Sequence, residues 1–230
     1  VVAVTAEWSP RVVEVIGRFA AASNATLLAT TADGERVIYK PIAGEQPLWD
    51  FPAESLAIRE VLTYQTAATL GLDVVPETVM GGGPYGPGAI QRYVETDPDF
   101  DPVVLVRGGD PVLWPIAVLD LVTNNADRKL GHLLGSEHEP RAIDHGLTFH
   151  VDEKLRTVLW VFADEPIPAH LVECLAHLDH ALQGDLGRRA RAGLSRSEVT
   201  ALRRRVARLL EHPYHPRPPT HRPPIPWPPY

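Results

Sequence analysis

The sequence predicts a two-lobed α+β fold: an N-terminal β-sheet lobe with one long helix, then a mainly helical C-terminal lobe. Three observations carry this expectation. Over residues 1–95 short runs of β-branched and apolar residues alternate with turn signals, interrupted by one stretch of helical period. A segment rich in Asp, Pro and Gly, Thr96 to Asp110, then breaks the pattern. Beyond it apolar residues recur at helical spacing in three long segments. The expected units are an N-terminal lobe (1–95), a C-terminal lobe (96–212) and a proline-dominated tail (213–230).

In chain order, Val12 to Phe19 and Thr26 to Thr30 read as strands, separated by the small-residue turn Ala21 to Ala25. Ala32-Asp33-Gly34-Glu35 is a hairpin signal, since Asp-Gly supplies the positive φ angles of a tight turn. The next strand, Arg36 to Lys40, stops at Pro41, and a loop follows to Pro52. Ala53 to Leu70 has helical spacing, with Leu56, Glu60, Tyr64 and Ala67 on one face and Gly71 as C-terminal cap. Val74 to Met80 and Gly88 to Val94 read as two more strands around a glycine-rich bend. Helices are expected over Pro111 to Asn124, Pro168 to Gln183 and Ser197 to Glu211, the last opened by a capping box, Ser195-Arg196-Ser197-Glu198. The prolines of the tail leave few backbone donors, so it should be extended, lying along its own domain or docking on a protein partner.

Composition narrows the classes. The 230 residues, 44% of them hydrophobic, suffice for a sizeable core, and a net charge of -7 gives no basic field for nucleic acid. No apolar run reaches the ~18 residues that span a bilayer. The first ten residues hold a Glu and a Trp where a secretory signal needs a basic end and an apolar block, so a cytoplasmic monomer is expected. The single cysteine, Cys174, excludes an internal disulfide framework and should be a small buried apolar residue on a helix. The arginines from Arg188 to Arg208 lack the aromatic anchors of an interfacial helix and read as a solvated face.

Chemistry concentrates in one phrase and its echo: Asn125-Ala126-Asp127-Arg128-Lys129-Leu130-Gly131-His132, then Ala142-Ile143-Asp144-His145-Gly146. Lys40 ends a strand well upstream. A lysine, a base-like aspartate and a second aspartate followed by X-Gly are the minimum parts for handling a nucleoside triphosphate with its metal. The lysine neutralises phosphate oxygens, one aspartate orients an acceptor hydroxyl, and the other holds the metal.

This order of parts resembles the phosphoinositide-kinase-like branch of the protein-kinase-like superfamily, over most of Ala21 to Phe149. Asp127-Arg128-Lys129-x-x-His132 is similar to its Asp-Arg-His-x-x-Asn catalytic loop. Ala142 to Phe149 is similar to the Ile-Asp-x-Gly-Leu-x-Phe segment of type II phosphatidylinositol 4-kinases. Arg59 to Tyr64, leading to Leu70 to Pro76, resembles the branch's Glu-x-x-x-Tyr helix and Val-Pro strand. The resemblance implies a two-lobed protein-kinase-like fold, ATP with Mg2+ or Mn2+, and a protein or small hydroxylated molecule as acceptor. It implies Lys40 on the phosphates, paired with Glu60, with Glu54 as the competing partner. It sets Ser23, Asn24 and Thr26 in the phosphate-covering turn, and adenine against Gln91, Tyr93 and Val94. Asp127 becomes the base, Lys129 a cation for the transferring phosphate, and Arg128 a partner for one of the two carboxylates. Asp144 becomes the metal ligand, with Gly146 easing the turn after it.

His132 departs from the family's asparagine, an oxygen ligand. Imidazole suits manganese better than magnesium. His132 is thus a ligand with altered metal preference, a loop-stabilising residue beside one metal, or the mark of a pseudokinase acting through partners. His145 either tunes the metal site or fills its turn. Transfer of a nucleotidyl group instead of a phosphoryl group is equally compatible with the residues.

Overall fold

The computed structural model describes residues 8–19 and 24–230. Five antiparallel strands form a sheet in the order β1-β2-β3-β5-β4: β1 Val12–Arg18, β2 Leu27–Thr31, β3 Arg36–Pro41, β4 Thr78–Gly83 and β5 Gly86–Arg92. The Asp-Gly signal does close the β2–β3 hairpin, with Gly34 at φ 79°. Strand alternation gives the sheet two faces. Val12, Leu27, Ala29, Val37, Tyr39 and Ile90 form a cluster on one, with Trp8 packed against it. Lys40 and Ala89, paired in register, belong to the other. Ala89 packs there on Ala57 and Val61 of helix α1, Leu56–Thr69.

Helix α1 begins at Leu56 rather than Ala53, because Glu54 takes a left-handed φ of 60° just before it. Its free N-terminal amides are capped from a distance: the Glu45 carboxylate accepts from Leu56 N–H (3.2 Å) and Ala57 N–H (2.9 Å). The helix is buried on nearly all sides, since the sheet covers one flank and the larger core covers the other. Val74 and Val75, expected in a strand, instead join that larger core, and the Val74 carbonyl accepts from Ala142 N–H (2.6 Å). β4 therefore starts only at Thr78.

The C-terminal part is mainly helical: α2 Pro102–Gly108, α3 Trp114–Thr123, α4 Ala169–Gln183, α5 Asp185–Gly193 and α6 Arg196–Glu211. A small hairpin, β6 Leu133–Gly135 with β7 Pro140–Ala142, precedes the Asp144 loop. Two helices escape the sequence reading. α2 sits inside the stretch that composition marks as a boundary, started by the Asp101 cap on Val103 N–H and ended by left-handed Gly109. α5 is short and arginine-rich, but its Leu186 and Ala190 enter the main core. The Ser195–Glu198 capping box opens α6 as expected. Cys174 lies on α4, half-buried rather than buried. Among the described residues no single helix is long and apolar enough to cross a membrane.

The tail lies along its own domain. Carbonyls of Pro213, Pro224 and Pro229 accept from Ile167 N–H (2.8 Å), Thr157 N–H (3.1 Å) and Leu130 N–H (2.9 Å). His215 exchanges backbone bonds with Asp164 and Glu165, and its buried ring meets Trp114, Trp160 and Phe162. The tail, poor in donors, thus docks through its proline carbonyls as acceptors, and the domain supplies the N–H groups. Truncation after His212 should therefore lower the melting temperature by about 5 °C or more, roughly 2 kcal/mol at this chain length. A thermal scan showing a change under about 1 °C would mean that the tail rests on the surface without bracing it.

Candidate active site

The cleft between the sheet and the helical part gathers residues from four segments. Lys40, at the end of β3, forms a buried ion pair with Glu60 of α1 and lies 3.1 Å from Asp144 Oδ1. Burial alone would lower the Lys40 pKa, but Asp144 and Glu60 outweigh it and hold the ammonium above its ordinary range. Glu60 has a second duty: its Oε2 accepts the His145 backbone N–H at 2.9 Å. One carboxylate thereby holds the sheet lysine with one oxygen and the Asp144 loop with the other. Glu54, the competing partner, is off the helix and exposed.

Asp144 itself takes the left-handed conformation, φ 60°. The sequence reading gave that easing role to Gly146, but Gly146 serves close packing. A Cβ there would meet Leu56 Cβ at 3.4 Å, a close but ordinary contact, so the loop lies directly against α1 at this position. Enclosure in the cleft opposes ionisation of Asp144, yet the Lys40 ammonium beside it holds its carboxyl well below the usual carboxylate range. The Asp144 side chain is 49% exposed, so it faces the cleft rather than the core.

His132 Nε2 stands 3.4 Å from Asp144 Oδ2, while its Nδ1 lies 3.5 Å from Lys129 N–H, and contacts this long do not fix the tautomer. Burial, aided by the cations of Arg128, Lys129 and Lys40, lowers the His132 pKa to about 4. The ring is neutral near pH 7 and able to donate a nitrogen lone pair. Two ligands bonded to one ion at about 2.1 Å sit ~3.0–3.4 Å apart, so this pair fits a shared divalent cation. Among the described residues no group of three His, Cys, Asp or Glu side chains forms a metal site, so the remaining ligands must come from elsewhere.

Asp127 follows α3 across a turn in which Asn125 Oδ1 accepts its backbone N–H at 2.9 Å. Burial raises the Asp127 pKa, opposed by Lys129, whose ammonium is 3.1 Å away. Arg128 does not pair with Asp127 or Asp144. It is fully buried on Asp120 of α3, Nη2 to Oδ1 at 3.0 Å. It also donates to the Ile143 carbonyl (2.8 Å) and contacts His145 Nε2 (2.8 Å). Arg128 thus ties the Asp127 loop to the Asp144 loop through a buried hub. Asn125 opens the polar phrase of the sequence, whereas Asp120, which shares that hub, carries no motif signal. His145 is fully buried, and burial with the Arg128 charge pushes its pKa well down, so it serves the hub.

Among the described residues, the remaining candidates make no hydrogen bond or ion pair with this cluster. The Asn24 side-chain oxygen accepts from Gln46 N–H at 2.7 Å, leaving only its amide NH2 for a phosphate. The Thr26 carbonyl accepts from Phe19 N–H, and Ser23 lies outside the described residues. The Gln91 amide is buried against Thr78 Oγ1 (2.8 Å), so only its backbone can serve a base. Tyr93 carries the Arg36 guanidinium over its ring at 4.7 Å, and Val94 follows, half-buried, at the exit of β5.

A buried arginine holds α1 in place. Arg59 donates to Thr148 O (2.6 Å) and Ser55 Oγ (3.2 Å), and pairs with Glu198 of α6 at 2.6 Å. Despite burial, Arg59 and Ser195 hold the Glu198 carboxyl below its usual range. Nothing in the local pattern around Arg59 distinguishes it from a solvated helix arginine.

No protein-family model matches the chain. It is 40% identical to protein Rv2133c of Mycobacterium tuberculosis, in an alignment covering 93% of this chain and 91% of that protein. The chain belongs to the same family as that protein. Among solved structures it is similar to the Helicobacter pylori proinflammatory kinase CtkA, with a TM-score of 0.53, 14% identity, and 87% of this chain and 92% of that chain covered. It is similar also to the Golgi casein kinase with Mn/ADP bound, at 0.54 and 12%, covering 89% and 71%. Hydra Fam20 with sugar gives 0.52 and 13%, covering 88% and 84%. The fold is protein-kinase-like.

Replacing Arg59 by Met should destabilise the protein by roughly 3–5 kcal/mol, because it leaves Glu198 buried without its cation. At this chain length that is about 10 °C in a thermal scan. A drop under about 2 °C would show that the pair contributes nothing to the seating of α1.

Proposed function

We propose that this member of the Rv2133c family is an ATP-dependent phosphotransferase that acts on a hydroxyl group of a protein or small molecule. The observation that carries the reading is the convergence of Lys40, Glu60, Asp144 and His132 in one cleft, with Asp127 and Lys129 at its edge. Lys40, kept cationic by its two carboxylates, binds phosphate oxygens, and Glu60 fixes its direction. Asp144 and His132 would hold a divalent cation, which when bound supplies charge neutralisation between the phosphates. Asp127, with its raised pKa, takes the proton as the acceptor oxygen bonds to phosphorus and the bond to ADP breaks. Lys129 sits beside that proton transfer and offsets negative charge. The likeness to a Golgi casein kinase holding Mn and ADP, and the branch resemblance of the motifs, support nucleotide and metal use.

His132 favours one competing reading, a nucleotide-binding pseudokinase, since an imidazole replaces the expected oxygen ligand. Intact-mass analysis after incubation with ATP and candidate acceptors separates the readings: a gain of phosphate supports transfer, and a gain of AMP marks nucleotidyl transfer. ATP binding without any turnover leaves the pseudokinase.

Calorimetric titration of ATP should show binding only with a divalent cation, with manganese at least as effective as magnesium. A clear preference for magnesium sinks the role given to His132. Asp144→Ala should abolish metal-dependent nucleotide binding. Asp127→Ala should leave affinity within about threefold and remove turnover, because the base meets only the acceptor. Equal loss of binding in both variants would make Asp127 a metal ligand.

A further inference from the structure

Two arginines meet beside the Asp127 loop, and among the described residues neither makes an ion pair. Arg156 is lashed to that loop: its Nε donates to the Ala126 carbonyl (2.8 Å), its backbone N–H to Asn125 O (2.9 Å), and its carbonyl accepts from Arg128 N–H (3.0 Å). Its guanidinium therefore stands next to Asp127. Arg222 arrives from the tail, held by the Pro224 carbonyl on Thr157 N–H (3.1 Å) and Trp160 Nε1 (2.8 Å). Its Nη1 donates to the carbonyl of Leu155, the residue before Arg156 (2.8 Å), while its Nε is buried without a partner.

The charge balance there is unusual. The chain carries a net charge of -7, so carboxylates are in surplus, yet among the described residues neither guanidinium makes an ion pair. Glu153, close in sequence, is turned to Arg208 at 3.5 Å. Asp127 is engaged by Lys129. Burial and the facing Arg156 charge lower the Arg222 pKa and outweigh the opposing charge of Glu153, so the pair is held together at an electrostatic cost. Guanidinium groups fixed by backbone carbonyls, with their remaining N–H groups uncommitted, form a ready fork for a planar or tetrahedral anion.

We infer that Arg156 and Arg222 form an anion site at the acceptor side of the cleft, so that the acceptor hydroxyl belongs to a molecule bearing a phosphate or carboxylate group. The inference rests on the phosphotransferase reading for the word acceptor, but the site is testable without turnover. The tail is then part of the substrate site, because it delivers Arg222.

The experiment uses the full chain saturated with ADP and manganese, so that the nucleotide phosphate site is filled. Sulfate stands for a phosphate group and acetate for a carboxylate, each titrated calorimetrically at constant ionic strength against chloride. One of the two should bind, and which one binds identifies the group. Arg156→Gln and Arg222→Gln should each weaken it by about tenfold, as loss of a charge-assisted contact does. Arg156→Lys and Arg222→Lys should retain more of it than the glutamine variants, which separates lost charge from disturbed packing. Arg217→Gln, which alters a tail arginine paired with Asp164, should leave it unchanged. Failure of both anions to bind, or binding to both glutamine variants as tight as to the unaltered chain, overturns the site and leaves the phosphotransferase reading standing. Failure of ADP to bind would count against that reading alone, since the anion titration can be repeated on the chain without nucleotide.

Discussion

The structure turns on a buried carboxylate. Glu60 is 2% exposed at the junction of the sheet and the helical part, and a charge removed from water is tolerable only when its partners are fixed. Its partners come from both sides: the Lys40 ammonium from β3 and the His145 N–H from the loop that carries Asp144. The two halves of the cleft therefore cannot separate or slide without leaving that carboxylate unpaired. Lys40 and Asp144, 3.1 Å apart, inherit their spacing from this constraint.

Neighbouring Arg59 extends the same logic in the opposite direction. It sits one residue before Glu60, points into the helical part and pairs with Glu198. Consecutive residues on a helix diverge by about 100°, so one helix presents a cation to one side and an anion to the other. α5 also packs closely on α1, where a Cβ on Gly193 would collide with Ile58. The helix that pairs with Lys40 is thus fastened to the helical part by ion pair and by packing.

The helical part solves a parallel problem with Arg128. Asp120, Arg128, Asn125 and His145 meet in a buried network that joins the Asp127 and Asp144 loops, with His145 engaged through Nε2 and its Nδ1 left without a partner. Such a network is worth its desolvation when it fixes geometry, and here it sets the two site carboxylates in one cleft. Arg156 and the tail lie on its outer side, through the hydrogen bonds of Arg156 to residues 125–128. The arginine pair proposed as an anion site is in this way built directly on the buried hub.

What the sequence determined by itself is what local spacing dictates. Strand alternation, the Asp33-Gly34 turn, the helix bearing Glu60, and the Ser195–Glu198 cap are all set by residues within a turn or two of one another. The phrases around Asp127 and Asp144 stood out because polar residues interrupt apolar segments there. The tertiary structure alone decided which charges meet. Arg59 with Glu198, Arg128 with Asp120 rather than Asp127, and Glu45 on the start of α1 are choices among many carboxylates. Burial fixes those choices, since an ion pair is held strongly only where water is excluded, and no window of sequence records which segments exclude it. The tail follows the same rule: its proline content required an extended chain, but only the N–H groups of Leu130, Thr157 and Ile167 determined where that chain lies.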